Sequence, residues 1–183
     1  MFIPTSFTAA FRRAALAMCA LALLAACSSD KPVPPCPQVR VDNTTAALTK
    51  FRDGSGRDLT DVEYEVRLVG YQGVCKFGDK GVDVSMDLVM EVASGPAAKP
   101  GPTPIYYFVA LPQFFPEPAG KRIMVVNHDL EAGAGRKARI EEHGVHAFIP
   151  LKKEEPGAAY DVYVGLQLDQ DQLDYNRSQQ EKK

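Results

Sequence analysis

Over residues 62–68 the chain alternates without a fault: Val62, Tyr64, Val66 and Leu68 are apolar, and Glu63, Glu65 and Arg67 between them are charged. Successive side chains of a strand point to opposite faces, so this stretch predicts a strand with one face in a core and the other in water. The same period of two returns in Val82, Val84, Met86, Leu88, Met90 and Val92, with Asp83, Ser85, Asp87 and Glu91 opposite them. It appears a third time in Tyr160, Val162, Val164, Leu166 and Leu168. Residues 105–111 are apolar on both faces, which suits a central strand, and Pro112 stops it. Shorter strands are expected at 39–41, 122–127, 136–142 and 145–150. Two helical pieces are expected: a single turn within 45–52, and residues 170–178, which run out into a polar tail.

Glycine and proline punctuate these segments at 54–56, 78–81, 95–104, 116–120, 133–135 and 156–157. About seven to eight strands with turns between them, and no long helical period, predict an all-β antiparallel sandwich of immunoglobulin-like or fibronectin-like type. A short C-terminal helix completes it, and a small barrel is the alternative.

The amino terminus reads differently. Behind Arg12 and Arg13 lies an apolar stretch of about 13 residues, well short of the ~20 that span a hydrocarbon core. It closes on Leu24-Ala25-Ala26-Cys27, which resembles the lipobox of bacterial lipoproteins. The resemblance implies cleavage after Ala26, a diacylglyceryl thioether on Cys27 and acylation of the new amino terminus. It also implies a membrane-anchored protein, and Ser28 in place of an aspartate points to the outer membrane. Residues 27–37 are rich in proline and favour an extended tether. The expected organisation is therefore a signal segment over 1–26, a lipidated tether over 27–37, a sandwich over 38–169 and a helix with a polar tail over 170–183.

The chain has four cysteines. Cys19 would leave with the signal and Cys27 would carry lipid, so Cys36 and Cys75 remain to pair in an oxidising compartment. Composition adds little: 45% hydrophobic and 24% charged residues suit an ordinary globular domain, and a net charge of −2 argues against a nucleic-acid partner.

Candidate chemistry is sparse. Arg57, in Gly54-Ser55-Gly56-Arg57-Asp58, offers a guanidinium fork in a glycine-rich loop. The plainer reading is a turn in which it pairs with Asp53, Asp58 or Asp61. His128, His143 and His146 are the only histidines. Positions 143 and 146 fall on opposite faces of a regular strand, so a shared metal would need a bulge or turn at Gly144. No metal and no cofactor are expected. Glu63, Glu65, Asp83 and Asp87 fit a solvated acidic face. No nucleophile elbow is present, and with no tryptophan to form a sugar platform a glycosidase cleft has little support. Of the aromatics, Phe114 and Phe115 stand between Pro112 and Pro116, and two adjacent side chains of an extended segment cannot both point inward. One of them is expected at the surface.

Several stretches together resemble a family of small alphaproteobacterial envelope lipoproteins. They are Cys36-Pro37, Leu48-Thr49-Lys50-Phe51-Arg52-Asp53-Gly54-Ser55-Gly56-Arg57-Asp58-Leu59-Thr60-Asp61-Val62, Cys75, Val164-Gly165-Leu166-Gln167-Leu168 and Leu173-Asp174-Tyr175-Asn176-Arg177. The resemblance implies an envelope lipoprotein and brings no catalytic residues with it. The expected protein is a non-catalytic binding or assembly module, anchored to the membrane, with Arg57, Phe114 and Phe115 as contacts for an envelope protein. The alternatives are a carrier of a small ligand or metal, and a hydrolase of envelope polymers.

Overall fold

The computed structural model describes residues 34–54, 56–152 and 155–182. Their strands are β1 (Gln38–Val41), β2 (Ala47–Phe51), β3 (Val62–Gly78), β4 (Gly81–Ser94), β5 (Gly101–Ala110), β6 (Lys121–Leu130), β7 (Lys137–Pro150) and β8 (Asp161–Leu166), followed by one helix, α1 (Gln170–Gln180). One sheet has the order β2-β3-β4-β7 and the other β1-β8-β5-β6. Every pairing is antiparallel except that of β1 with β8. The fold is an antiparallel-rich β-sandwich with a short C-terminal helix, as the alternation predicts, and neither sheet closes into a barrel. No described helix is long and apolar enough to cross a membrane.

β4 is the straight reference of the molecule. Its even positions from Val82 to Val92 are all buried and meet Val66, Ile105, Ile149, Val162, Val164 and Leu166 in the core. Both neighbours of β4 carry an extra residue relative to it. In β3, Leu68 pairs with Met90 and Gly70 with Val89, leaving Val69 unpaired. In β7, Glu142 pairs with Leu88 and Val145 with Met86, so His143 and Gly144 together oppose Asp87. An inserted residue exchanges the two faces of a strand beyond it. Val62 and Val66 therefore point inward before the first bulge, and Cys75 and Phe77 after it. In the same way Val145, Ala147 and Ile149 face the core in β7.

Four expectations are corrected by this architecture. Residues 45–52 form no helical turn: Asp42 closes a turn by accepting from the Thr44 and Thr45 amides, and β2 follows. The two short strands expected at 136–142 and 145–150 are one strand joined through the bulge. The strand expected to end at Leu68 continues to Gly78. β5 does lie inside its sheet, but only Ile105, Tyr107 and Val109 face the core; Tyr106 on the other face is 47% exposed.

β1 and β2 are consecutive edge strands in different sheets, so the chain crosses the sandwich between them. Two links brace the crossing. The Cys36–Cys75 disulfide, with Cα atoms 5.9 Å apart, ties the entry of β1 to β3 of the facing sheet. The Tyr71 hydroxyl donates to the Val39 carbonyl at 2.8 Å.

Candidate functional site

The sequence-predicted contacts fall at opposite ends of the sandwich. Gln38 of β1 pairs with Asp161 of β8, and Ala110 at the end of β5 pairs with Tyr163 of β8. Residues 34–37 and the 111–120 loop therefore share one end. Phe51 at the end of β2 pairs with Val62 at the start of β3, which sends the Arg57 loop to the other end.

At the far end α1 packs against β2. A capping box starts the helix: the Asp169 carboxylate accepts from the Gln172 amide at 2.8 Å, and the Gln172 side chain accepts from the Asp169 amide at 3.0 Å. Buried Asn176 then donates through one amide group to the Thr44 carbonyl at 2.8 Å and the Ala47 carbonyl at 2.7 Å. Those carbonyls lie where the chain turns into β2. The Tyr175 ring meets Phe51 edge-on at 5.1 Å between centroids.

Arg57 is drawn into this contact. Its guanidinium donates to the Asp171 carboxylate at 2.8 Å and stands 5.4 Å from the Phe51 ring centre. Its partner is thus none of the three aspartates named by the plainer sequence reading. Asp61, buried, takes Arg52 at 2.5 Å; Asp53 takes Lys50 at 3.3 Å; Asp58 caps the following turn through the Thr60 amide. A groove of about 200 Å³ between the loop and the helix is lined by Lys50, Arg52, Arg57, Asp53, Asp169 and Asp171, among others. Its cations and carboxylates answer one another, so the arrangement works first as a clamp holding α1 on β2.

At the near end the 111–120 loop satisfies its own backbone. Leu111 and Gly120 close it, and Phe114, Phe115, Glu117 and Gly120 each donate three residues back. A Cβ on Gly120 would stand 2.8 Å from the Phe115 nitrogen, so glycine is what lets the loop fold this tightly. The two phenylalanines divide between inside and outside, but on a tight 3-10 turn over Pro112–Phe114 rather than on the extended segment expected from the sequence. Phe114 stacks on Tyr160 at 5.7 Å and packs against the core, whereas Phe115 is 78% exposed. Tyr160 is itself held, donating to Glu155 at 2.8 Å. The Lys152 amide and then this hydroxyl hold the Glu155 carboxyl below its ordinary range. Phe115 therefore projects from a fixed platform.

The bulge in β7 gathers the acidic face and two histidines. Gly144 takes φ +69°, and its amide donates to Asp87 at 3.0 Å. His143 approaches the same carboxylate at 3.3 Å, and His146 approaches Asp83 at 3.1 Å. The Gly144 amide, then His143, hold the Asp87 carboxyl below its ordinary range. His128 lies on β6, in the other sheet. Glu63 instead pairs with Lys99 at 2.8 Å. Among the described residues no group of three or more histidine, cysteine, aspartate or glutamate side chains is placed to hold a metal ion.

Sequence reasoning missed a third surface. On the outer face of the β1-β8-β5-β6 sheet, Tyr106 pairs with Val125 and Phe108 with Ile123. Tyr106, Ile123 and Val125 are 47%, 56% and 48% exposed. The alternation of β6 between Met124, Val126 and their neighbours was masked because both sets are apolar. Cys27 and the signal segment lie outside the described residues. No protein-family model, characterised protein or solved structure matches the chain.

Proposed function

We propose that the protein is a cell-envelope lipoprotein, anchored through Cys27 at the periplasmic face of the outer membrane, whose sandwich serves as a non-catalytic binding or assembly module. The observation that carries this reading is Phe115: a large apolar side chain, 78% exposed, on a loop whose backbone and neighbouring Phe114 are fixed. Burying such a ring releases on the order of 2 kcal/mol of hydrophobic free energy, and its rigid support lowers the ordering cost of a contact. The lipobox-like run before Cys27 supports the anchor, and the Cys36–Cys75 bond accords with an oxidising compartment. Arg57 is the weaker contact, since Asp171 and Phe51 already engage it.

Palmitate labelling of the wild type and of Cys27→Ala in cells tests the anchor; equal labelling sinks it. Photo-crosslinking in cells from position 115, with Tyr163 as control, tests the module. One dominant protein adduct from 115 supports a partner at this loop, and only diffuse or lipid adducts shift the reading to a carrier or an enzyme.

A further inference from the structure

The sandwich has four sheet edges, and three of them are blunted. β1 and β2 have four and five residues, and β2 is covered by α1. β7 is broken by the bulge at Gly144 and ends in Pro150. Short strands, bulges, proline and lysine are ordinary defences against edge-to-edge pairing. β6 is neither short nor bulged, and its one lysine, Lys121, stands at its first residue. It pairs with β5 over ten residues without a register shift and carries no proline.

Its hydrogen-bonding phase follows from the loop that begins it. The Leu111 amide donates to the Gly120 carbonyl, so the 111/120 pair is hydrogen-bonded. Such pairs alternate in an antiparallel ladder, which turns the backbone groups of even β6 residues toward β5. The amides and carbonyls of Lys121, Ile123, Val125, Asn127 and Asp129 therefore face the open edge. All five are exposed, and their side chains share the outer face with Tyr106 and Phe108.

We propose that β6 pairs antiparallel with β6 of a second copy of this chain, about a two-fold axis at Val125. Two outward-facing odd positions must oppose each other, so the register can move only in steps of two. Centring it on Val125 uses the whole strand and sets Lys121 opposite Asp129 twice, Ile123 opposite Asn127 twice, and Val125 opposite itself. Each step away from that register uncouples the Lys121–Asp129 pairs. Opposite charges directly across strands stabilise a pair, and like charges oppose it. The axis is normal to the sheet, so the exposed Tyr106, Ile123 and Val125 of both copies merge into one apolar surface on a continuous eight-stranded sheet. This pairing stands on the edge and its charges, independently of the anchor and of Phe115.

The test uses the full-length chain with a photoreactive residue at position 125, expressed as a mixture of light and heavy isotope forms and extracted in detergent. The expected product is a mixed-isotope dimer joined β6 to β6. Lys121→Asp alone and Asp129→Lys alone should each lower its yield roughly tenfold, because each sets like charges across both pairs. The double variant Lys121→Asp/Asp129→Lys should restore it, which also shows that the charged positions are not needed for folding. Recovery of monomer only, an adduct solely to a different protein, or a dimer indifferent to the charge reversals would each overturn the proposal.

Discussion

The Tyr107 hydroxyl donates to the Glu142 carboxylate at 3.1 Å across the two sheets. Burial pushes the Tyr107 hydroxyl well above the usual phenol range, and the facing carboxylate reinforces the shift. The contact exists because Glu142 precedes the β7 bulge and shares the phase of Ile140, whereas Val145 after it faces inward. Tyr107→Phe should cost about 1–2 kcal/mol by leaving the half-buried carboxylate without this donor. Pairing it with Glu142→Leu should recover most of the loss in a denaturant-unfolding cycle; additive losses would show that the two groups do not interact.

Asn176 holds α1 to the crossing between β1 and β2. Asn176→Ala should lower stability by about 2 kcal/mol, since two carbonyls lose their donor. Asn176→Asp, nearly the same shape, should cost at least as much at neutral pH, because a carboxylate would then face both carbonyls. Thermal unfolding together with hydrogen exchange of residues 170–180 checks this, with loss of protection expected to begin in the helix.

The Asp87 carboxyl sits below its ordinary value of 3.8 in the folded protein. A depressed carboxylate stabilises the fold above the unfolded pKa, and that contribution disappears as pH falls through the folded pKa. The difference in Tm between wild type and Asp87→Ala should therefore shrink as pH falls below about 4. A difference that persists unchanged at pH 2 would contradict the assignment. Gly144→Ala, which forces a Cβ into a left-handed residue, should cost about 1–2 kcal/mol at every pH.

Phe114 and Phe115 are neighbours with opposite expectations. Phe114→Ala should destabilise by about 2 kcal/mol through the lost Tyr160 stack and core contact. Phe115→Ala should stay within about 0.5 kcal/mol of wild type. Equal losses at the two positions would mean that Phe115 is also part of the packing.

Cys36→Ala/Cys75→Ala should cost about 4 kcal/mol in the chain-entropy account of a loop of this size. Equilibrium unfolding of the oxidised wild type against the double variant measures it.

The particular elements explain how far the sequence could be read. β4 was legible throughout because no bulge interrupts it, and the core partners of Val82 to Val92 follow from that alternation. The second half of β3 was not, because Val69 exchanges the faces and Gly70 and Gly73 add no pattern. β2 looked helical since Leu48 and Phe51 stand three positions apart and Thr49 and Lys50 fall on alternate faces between them, so neither strand face is cleanly apolar or polar. Tertiary packing decided its form. That one of Phe114 and Phe115 would lie at the surface was expected, but from an extended segment, whereas Pro112–Phe114 forms a 3-10 turn. The clamp at Arg57 was not: Asp171 lies 114 positions away, and a single asparagine at 176 leaves no periodic trace. The Cys36–Cys75 pairing was accessible by elimination once Cys27 was set aside.

That bond also decides where mechanical load enters the domain. Tension arriving along the chain from residues before Cys36 divides at that residue, and one branch passes through the sulfurs into β3, where it is paired with β4. Without the crosslink the first structure to bear it would be β1, four residues long and paired on one side only. A tug on the amino end is thus met by the long β3–β4 ladder as well as by β1, and the segment between Cys36 and Cys75 is shielded from full extension.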